Sequence, residues 1–185
     1  IKRNVGSNVS LFGYGNRATG WNGLLNPRQC AFKDPIAQSF RLPTALSAGG
    51  IVTEIDVYFR TRPTGDIPVR LQIRPMIAGV PDKTFIAEVQ LNRDDVNIPG
   101  NLNDLTTVRA TPTTFTFTKP VHLLPNEDYA FVLIADTTDY NVFVAKTGAL
   151  ELGSSSLRIS RQPSMGSLFL SQNGVTWSPD QERDI

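Results

Sequence analysis

IVTEIDVYFRTR, residues 51–62, alternates apolar and polar positions with a period of two. On an extended strand Ile51, Thr53, Ile55, Val57 and Phe59 share one face, and Glu54, Asp56 and Arg60 share the other. Two more stretches repeat the pattern. In VRLQIRPMI, residues 69–77, Val69, Leu71 and Ile73 oppose Arg70, Gln72 and Arg74. In TTFTFTKPVHL, residues 113–123, Phe115 and Phe117 oppose Thr114, Thr116 and Thr118, so both rings belong to the core. Period two with one apolar face predicts half-buried antiparallel sheets. YAFVLIAD, residues 129–136, is apolar on both faces and is expected at the centre of a sheet. YNVFVAK, residues 140–146, follows after a short polar connection and is expected to form a hairpin with it.

The 13 prolines and 14 glycines cut the chain into short segments rich in Val, Ile, Phe, Tyr and Thr, which is how many strands joined by turns read. LNRDDVNIPGNLNDL, residues 91–105, reads as a polar loop with one short helical turn. About eight strands, each with one apolar face, need a second sheet to cover that face. The expected fold is all-β: an antiparallel β-sandwich of jelly-roll or immunoglobulin-like topology, a choice that pattern leaves open. NVGSNVSLFGYGNRATGWNG, residues 4–23, is irregular and Gly/Asn-rich. Residues 1–33 are expected to be an irregular arm or linker, and 34–185 the sandwich domain.

The 185 residues suffice for one domain with its own core. A net charge of +1 provides no strong field for nucleic acid or for an anionic membrane surface, and no run approaches the ~18 apolar residues a spanning helix needs. Neither nucleic acid nor membrane is an expected partner. The single cysteine, Cys30, cannot close an internal disulfide and is read as a small buried hydrophobe.

Catalytic chemistry finds little support. The one histidine, His122, alternates with Val121 and Leu123 on a predicted strand and is expected to face solvent. Asp94, Asp95, Asp136 and Asp139 carry the oxygens calcium takes, but Asp in such loops serves turns first. Glu127 and Asp128 sit side by side before a strand, which points them apart. GYGNRATG, residues 13–20, lacks the strand–helix setting of a phosphate loop. No catalytic, cofactor-binding or metal-ligating residues are expected, and the chain is not read as an enzyme. Sugar binding has more to work with, because aromatic rings stack on sugar faces and polar side chains orient them. Of Trp21, Tyr58, Tyr140, Phe143 and Trp177, the candidates for sugar or partner contact are Tyr140 and Trp177, with Gln172 and Asn173 beside the latter. The competing reading of Trp177 is a plug at the sandwich edge.

DPIAQSF, residues 34–40, is similar to the D-P-[LIV]-A-Q-[ST]-F element of tailed-phage structural proteins. LFLSQNGVTWSPDQERDI, residues 168–185, resembles their F-x-S-Q-N-x-x-[ST]-W-[ST]-P-x-Q-x-x-D-[LIV] element. Between them, LLPNEDYAFVLIADTTDYNVFVA (123–145) and PVRLQIRPMIAGVPDK (68–83) fit the same pattern, so the resemblance covers most of residues 34–185. It implies a β-sandwich module of contractile-tailed phage virions, in a baseplate, tail fibre or fibre attachment, with a structural or host-attachment role and no catalytic residues. The implied partners are other virion tail subunits, copies of the same chain in a symmetric assembly, and a host surface glycan. The alternative is a carbohydrate-binding module of a receptor-binding protein or secreted enzyme. In relatives the last element runs on into a terminal strand, whereas Asp184 and Ile185 stand last here, and the first residue is not Met. The expectation is a piece cut from a longer polypeptide, or a strand supplied by a partner.

Overall fold

The computed structural model describes residues 7–10, 35–43, 46–160 and 166–185. In chain order its strands are β1 (Ser7–Ser10), β2 (Ile36–Arg41), β3 (Gly50–Val57), β4 (Phe59–Thr61), β5 (Val69–Ile77), β6 (Val80–Pro81), β7 (Ala87–Leu91), β8 (Thr113–Leu123), β9 (Asp128–Ala135), β10 (Asn141–Lys146), β11 (Leu168–Ser171), β12 (Trp177–Asp180) and β13 (Arg183–Asp184). A 3-10 turn at Arg93–Asp95 and helix α1, Leu105–Arg109, lie between β7 and β8.

The larger sheet runs β12-β11-β2-β9-β5, with β6 and β7 both pairing with β5 on its other edge. A second layer is built around β10, which pairs with β1, β4 and β13. The β3–β8 ribbon extends that layer, because Tyr58 alone separates β3 from β4, and the Phe143 N–H donates to the Tyr58 carbonyl at 2.9 Å. All strand pairs are antiparallel.

The core lies between the layers. Val69, Leu71 and Ile73 of β5, Phe131 and Leu133 of β9, Ile36 of β2 and Leu168 of β11 meet Val57, Phe59, Phe115, Leu123, Val142 and Val144. Each fully buried large apolar side chain contributes roughly 1.5–3 kcal/mol over exposure. The Tyr140 ring closes this core, edge-on to Phe59 at 5.7 Å between centroids. The expected all-β antiparallel sandwich is the fold observed. As expected, β9 is central, held between β2 and β5, and its side chains are buried from Tyr129 to Ala135.

Several details depart from the pattern. β9 and β10 do not form a hairpin: β9 pairs with β2 and β5, and residues 136–140 carry the chain across to the second layer. Both edges of β9 are taken by other strands, which leaves β10 to seek partners elsewhere. The face assignment in residues 51–62 also breaks. The register passes from Val52↔Val121 to Glu54↔Thr116, so β8 inserts Phe117–Pro120 opposite Thr53. The bulge holds Pro120, which has no N–H to give a ladder. It reverses the alternation, turning Val52 toward the core and leaving Ile51 67% exposed, while Ile55 and Val57 stay inward.

Outer faces are covered as well. Against the second layer, Val108 of α1 and Phe143 pack with Tyr58, Leu102, Leu105 and Leu152. Asp104 caps this helix by accepting from the Thr107 N–H at 2.8 Å. Within residues 1–33, Ser7–Ser10 adds a strand to β10; Trp21, Cys30 and the rest of that stretch lie outside the described residues.

Candidate functional site

Because Val69, Leu71 and Ile73 point into the core, strand geometry sends Gln72, Arg74 and Met76 to the opposite, outer face of the larger sheet. There the register sets Val132 beside Gln72, then Ala37 and Phe169 in the same row, with Glu88 on the other side of Gln72. Ala130 lies beside Arg74 in the next row. Ala37 and Ala130 make a low floor. Phe169 and Trp177 pack over it with Val132, Ile134, Met76 and Val80 in a cluster separate from the main core.

Arg74 is buried in this setting, 6% exposed. Its Nε and Nη2 donate to Oε1 of Gln72 at 2.9 and 2.6 Å. Its Nη1 donates to the carbonyls of Asp82 at 3.0 Å and Gly174 at 3.3 Å. The amide of Gln72 in turn donates to Glu88. Burial pushes the Arg74 pKa down, against the opposing pull of the Asp82 and Glu88 charges. One guanidinium thereby fastens the segment after β6 and the β11–β12 turn across the sheet.

That turn is organised from within. The Ser171 hydroxyl accepts from the N–H groups of Gly174 at 2.9 Å and Asn173 at 3.3 Å. Oδ1 of Asn173 accepts from the N–H groups of Val175 at 2.9 Å and Thr176 at 2.7 Å. Gly174, at φ +71°, occupies the left-handed conformation that glycine takes without strain. Gln172 and Asn173 are exposed on the turn. Trp177 follows them, 7% exposed, and its indole Nε1 is buried without a hydrogen-bond partner.

The four side chains expected to contact sugar or a partner do not form one site. Gln172, Asn173 and Trp177 share the β11–β12 hairpin. Tyr140 lies in the sandwich core, where its hydroxyl donates to the Ile67 carbonyl at 2.6 Å and burial pushes its pKa up to about 12. Neither ring presents a face to solvent, so the exposed aromatic platform expected of them is not formed, and Trp177 packs on the outer face of the larger sheet rather than as a plug at the sandwich edge. Asn173 spends its side-chain oxygen on the turn. The polar residues that do converge are Gln72 and Arg74, which alternation places opposite the apolar face of their strand, and Glu88, which lies outside the strand patterns read from the sequence; only the knowledge that Gln72 and Arg74 are covered could have singled them out.

Of the other titratable candidates, Asp94, Asp95 and Asp128 hold turns and strand ends. His122 is exposed, opposite Ile51. Asp128 pairs bidentately with Arg41, both bonds at 2.7 Å. Asp95 accepts from the Asn92 N–H at 3.3 Å and Asp94 pairs with Arg93. Among the described residues no group of three His, Cys, Asp or Glu is disposed to hold a metal ion, and no helix is long and apolar enough to cross a membrane.

No family model matches the chain, and no match is found among curated proteins. Among solved structures it is similar to the crystal structure of the cysteine protease and lectin-like domains of Cwp84, a surface layer associated protein of Clostridium difficile. The match has 12% identity and a TM-score of 0.42, and covers 80% of this chain and 28% of that one. This chain thus spans under a third of that structure's length, and a likeness at this level carries no argument about what it binds or does.

Proposed function

We propose that this chain is a non-enzymatic structural module of a contractile-tailed phage virion, part of the baseplate or a tail fibre, serving assembly and host attachment. The observation that supports this reading is the joint at Gln38. Residues 34–40 and 168–185 resemble elements of phage structural proteins, and these two segments fold against each other. β2 pairs with β11, β11 turns back as β12, and β13 brings Asp184 and Ile185 onto the side chain of Gln38. The segments that carry the resemblance are joined to each other by strand pairing and by the Gln38 side chain, which supports a structural role.

Charge usage agrees. Arg41 and Asp128 pair with each other, as do Lys146 and Glu182, and Asp82 and Asp104 accept from neighbouring threonines. These groups stabilise turns and strand ends. With a net charge of +1, contacts to neighbouring subunits rely on shape and apolar area more than on long-range attraction.

Mass spectrometry of density-purified phage particles tests the proposal. Peptides of this chain are expected in intact particles and in isolated tails. Their absence from particles that infect normally would remove it.

A further inference from the structure

Two polar groups on the outer face of the larger sheet lack their natural complements. Arg74 is a buried cation whose direct partners are all neutral: an amide oxygen and two backbone carbonyls. Glu88 is reached only through Gln72. The indole N–H of Trp177, on the same face, is buried with no acceptor. A buried cation with no anion in direct contact and an unpaired buried donor each carry a cost, about 1–3 kcal/mol for the donor. Each would be answered by the same thing, an anionic group offering more than one acceptor oxygen.

The β11–β12 turn lies over this region and is suited to lift away. Its hydrogen bonds run chiefly inside the turn, from Ser171 and Asn173, and Arg74 ties it to β5 through one long bond to the Gly174 carbonyl. Moving the turn would leave its own structure intact. It would also free an Nη1 donor of Arg74 beside a turn that leads directly into Trp177.

We propose that this face is a closed binding site for a carboxylate-bearing saccharide, with residues 172–176 as its flap. The Trp177 ring stacks on the sugar and its N–H meets a ring hydroxyl or carboxylate oxygen. Arg74 exchanges the Gly174 carbonyl for the carboxylate, and Gln72 keeps the guanidinium oriented from below. The site goes beyond the structural role proposed above and does not depend on it, since particle composition decides that role separately.

The test is an NMR titration of the full chain that follows the Trp177 indole N–H, assigned by its loss in Trp177→Phe. Three probes are added in turn: trigalacturonate, its methyl ester, and a glutamate-rich peptide. The expected result is a saturable shift with trigalacturonate only, weakened at least about tenfold in Arg74→Gln. Should Arg74→Gln fail to fold, the titration of the unaltered chain decides alone. No shift with the acidic trisaccharide, an equal shift with its ester, or a shift with the peptide only would overturn the proposal.

Discussion

The side chain of Gln38 bonds the two residues that end the chain. Its Nε2 donates to Oδ1 of Asp184 at 2.9 Å, and its Oε1 accepts from the Ile185 N–H at 3.1 Å. Gln38 is 1% exposed and Asp184 5%. Ile36 and Phe40, which share this face of β2, pack in the core, so Gln38 reaches the second layer from the interior of the first. Its amide thus connects the larger sheet to β13, which pairs with β10.

Gln38→Leu keeps the volume and removes both bonds. Hydrogen bonds to a charged, buried partner contribute about 1.5–3 kcal/mol, so a loss of about 2 kcal/mol is expected in urea unfolding. Combining it with Asp184→Leu should cost less than the sum of the single changes, because both remove the same Gln38–Asp184 hydrogen bond. Strict additivity would show that the two side chains do not act as a unit.

Tyr129 is the second residue of β9, and its hydroxyl accepts from the Leu124 N–H at 2.9 Å, pinning the turn that crosses from β8. The turn places Asn126 at φ +62°, a conformation Asn tolerates. Tyr129→Phe leaves the ring in place and the N–H without its partner. A loss of about 1–2 kcal/mol with an unchanged denaturant slope is the expected result, checked by chemical unfolding.

The two-residue turn between β5 and β6 places Ala78 at φ +52° and Gly79 at φ +79°. Both central positions of such a hairpin turn require positive φ, which costs an alanine roughly 1–2 kcal/mol. Ala78→Asn should therefore raise the melting temperature, by about 1 kcal/mol in stability, without altering the fold. A decrease would mean that the methyl group makes a contact worth more than the strain.

Burial of Tyr140 raises its pKa to about 12 from an ordinary value of 10.0. The folded state therefore favours the neutral phenol. That contribution is fully present below the unfolded value and is lost as pH rises from about 10 through about 12. Denaturant midpoints measured across this window should fall less steeply in Tyr140→Phe than in the unaltered chain. Identical slopes would place the alkaline loss elsewhere.

Much of the architecture was legible from period two. Phe115 and Phe117 point inward and Thr114 and Thr116 outward, as alternation demands, and the doubly apolar β9 sits mid-sheet. Alternation describes a strand's two faces but not what lies beyond either. Gln72 and Arg74 looked solvent-facing because nothing local says that the β11–β12 turn and Asp82 reach over them. Long-range pairing was equally hidden: proximity in sequence suggested β9 with β10, whereas β2, far away in sequence, took that edge. The bulge at Phe117–Pro120 had a local sign in Pro120, but its consequence for Ile51 depended on which strand lay opposite. For the candidate site, residue type alone marked Trp177 and Tyr140 as sugar contacts, and the fold instead packs one on the outer face of the larger sheet and the other in the core.

Immunogold electron microscopy of purified phage particles, with an antibody raised against residues 34–185, addresses the structural role most directly. The account predicts gold confined to the baseplate or tail fibres of intact contractile tails. Labelling of free protein in the lysate with bare tails would contradict it.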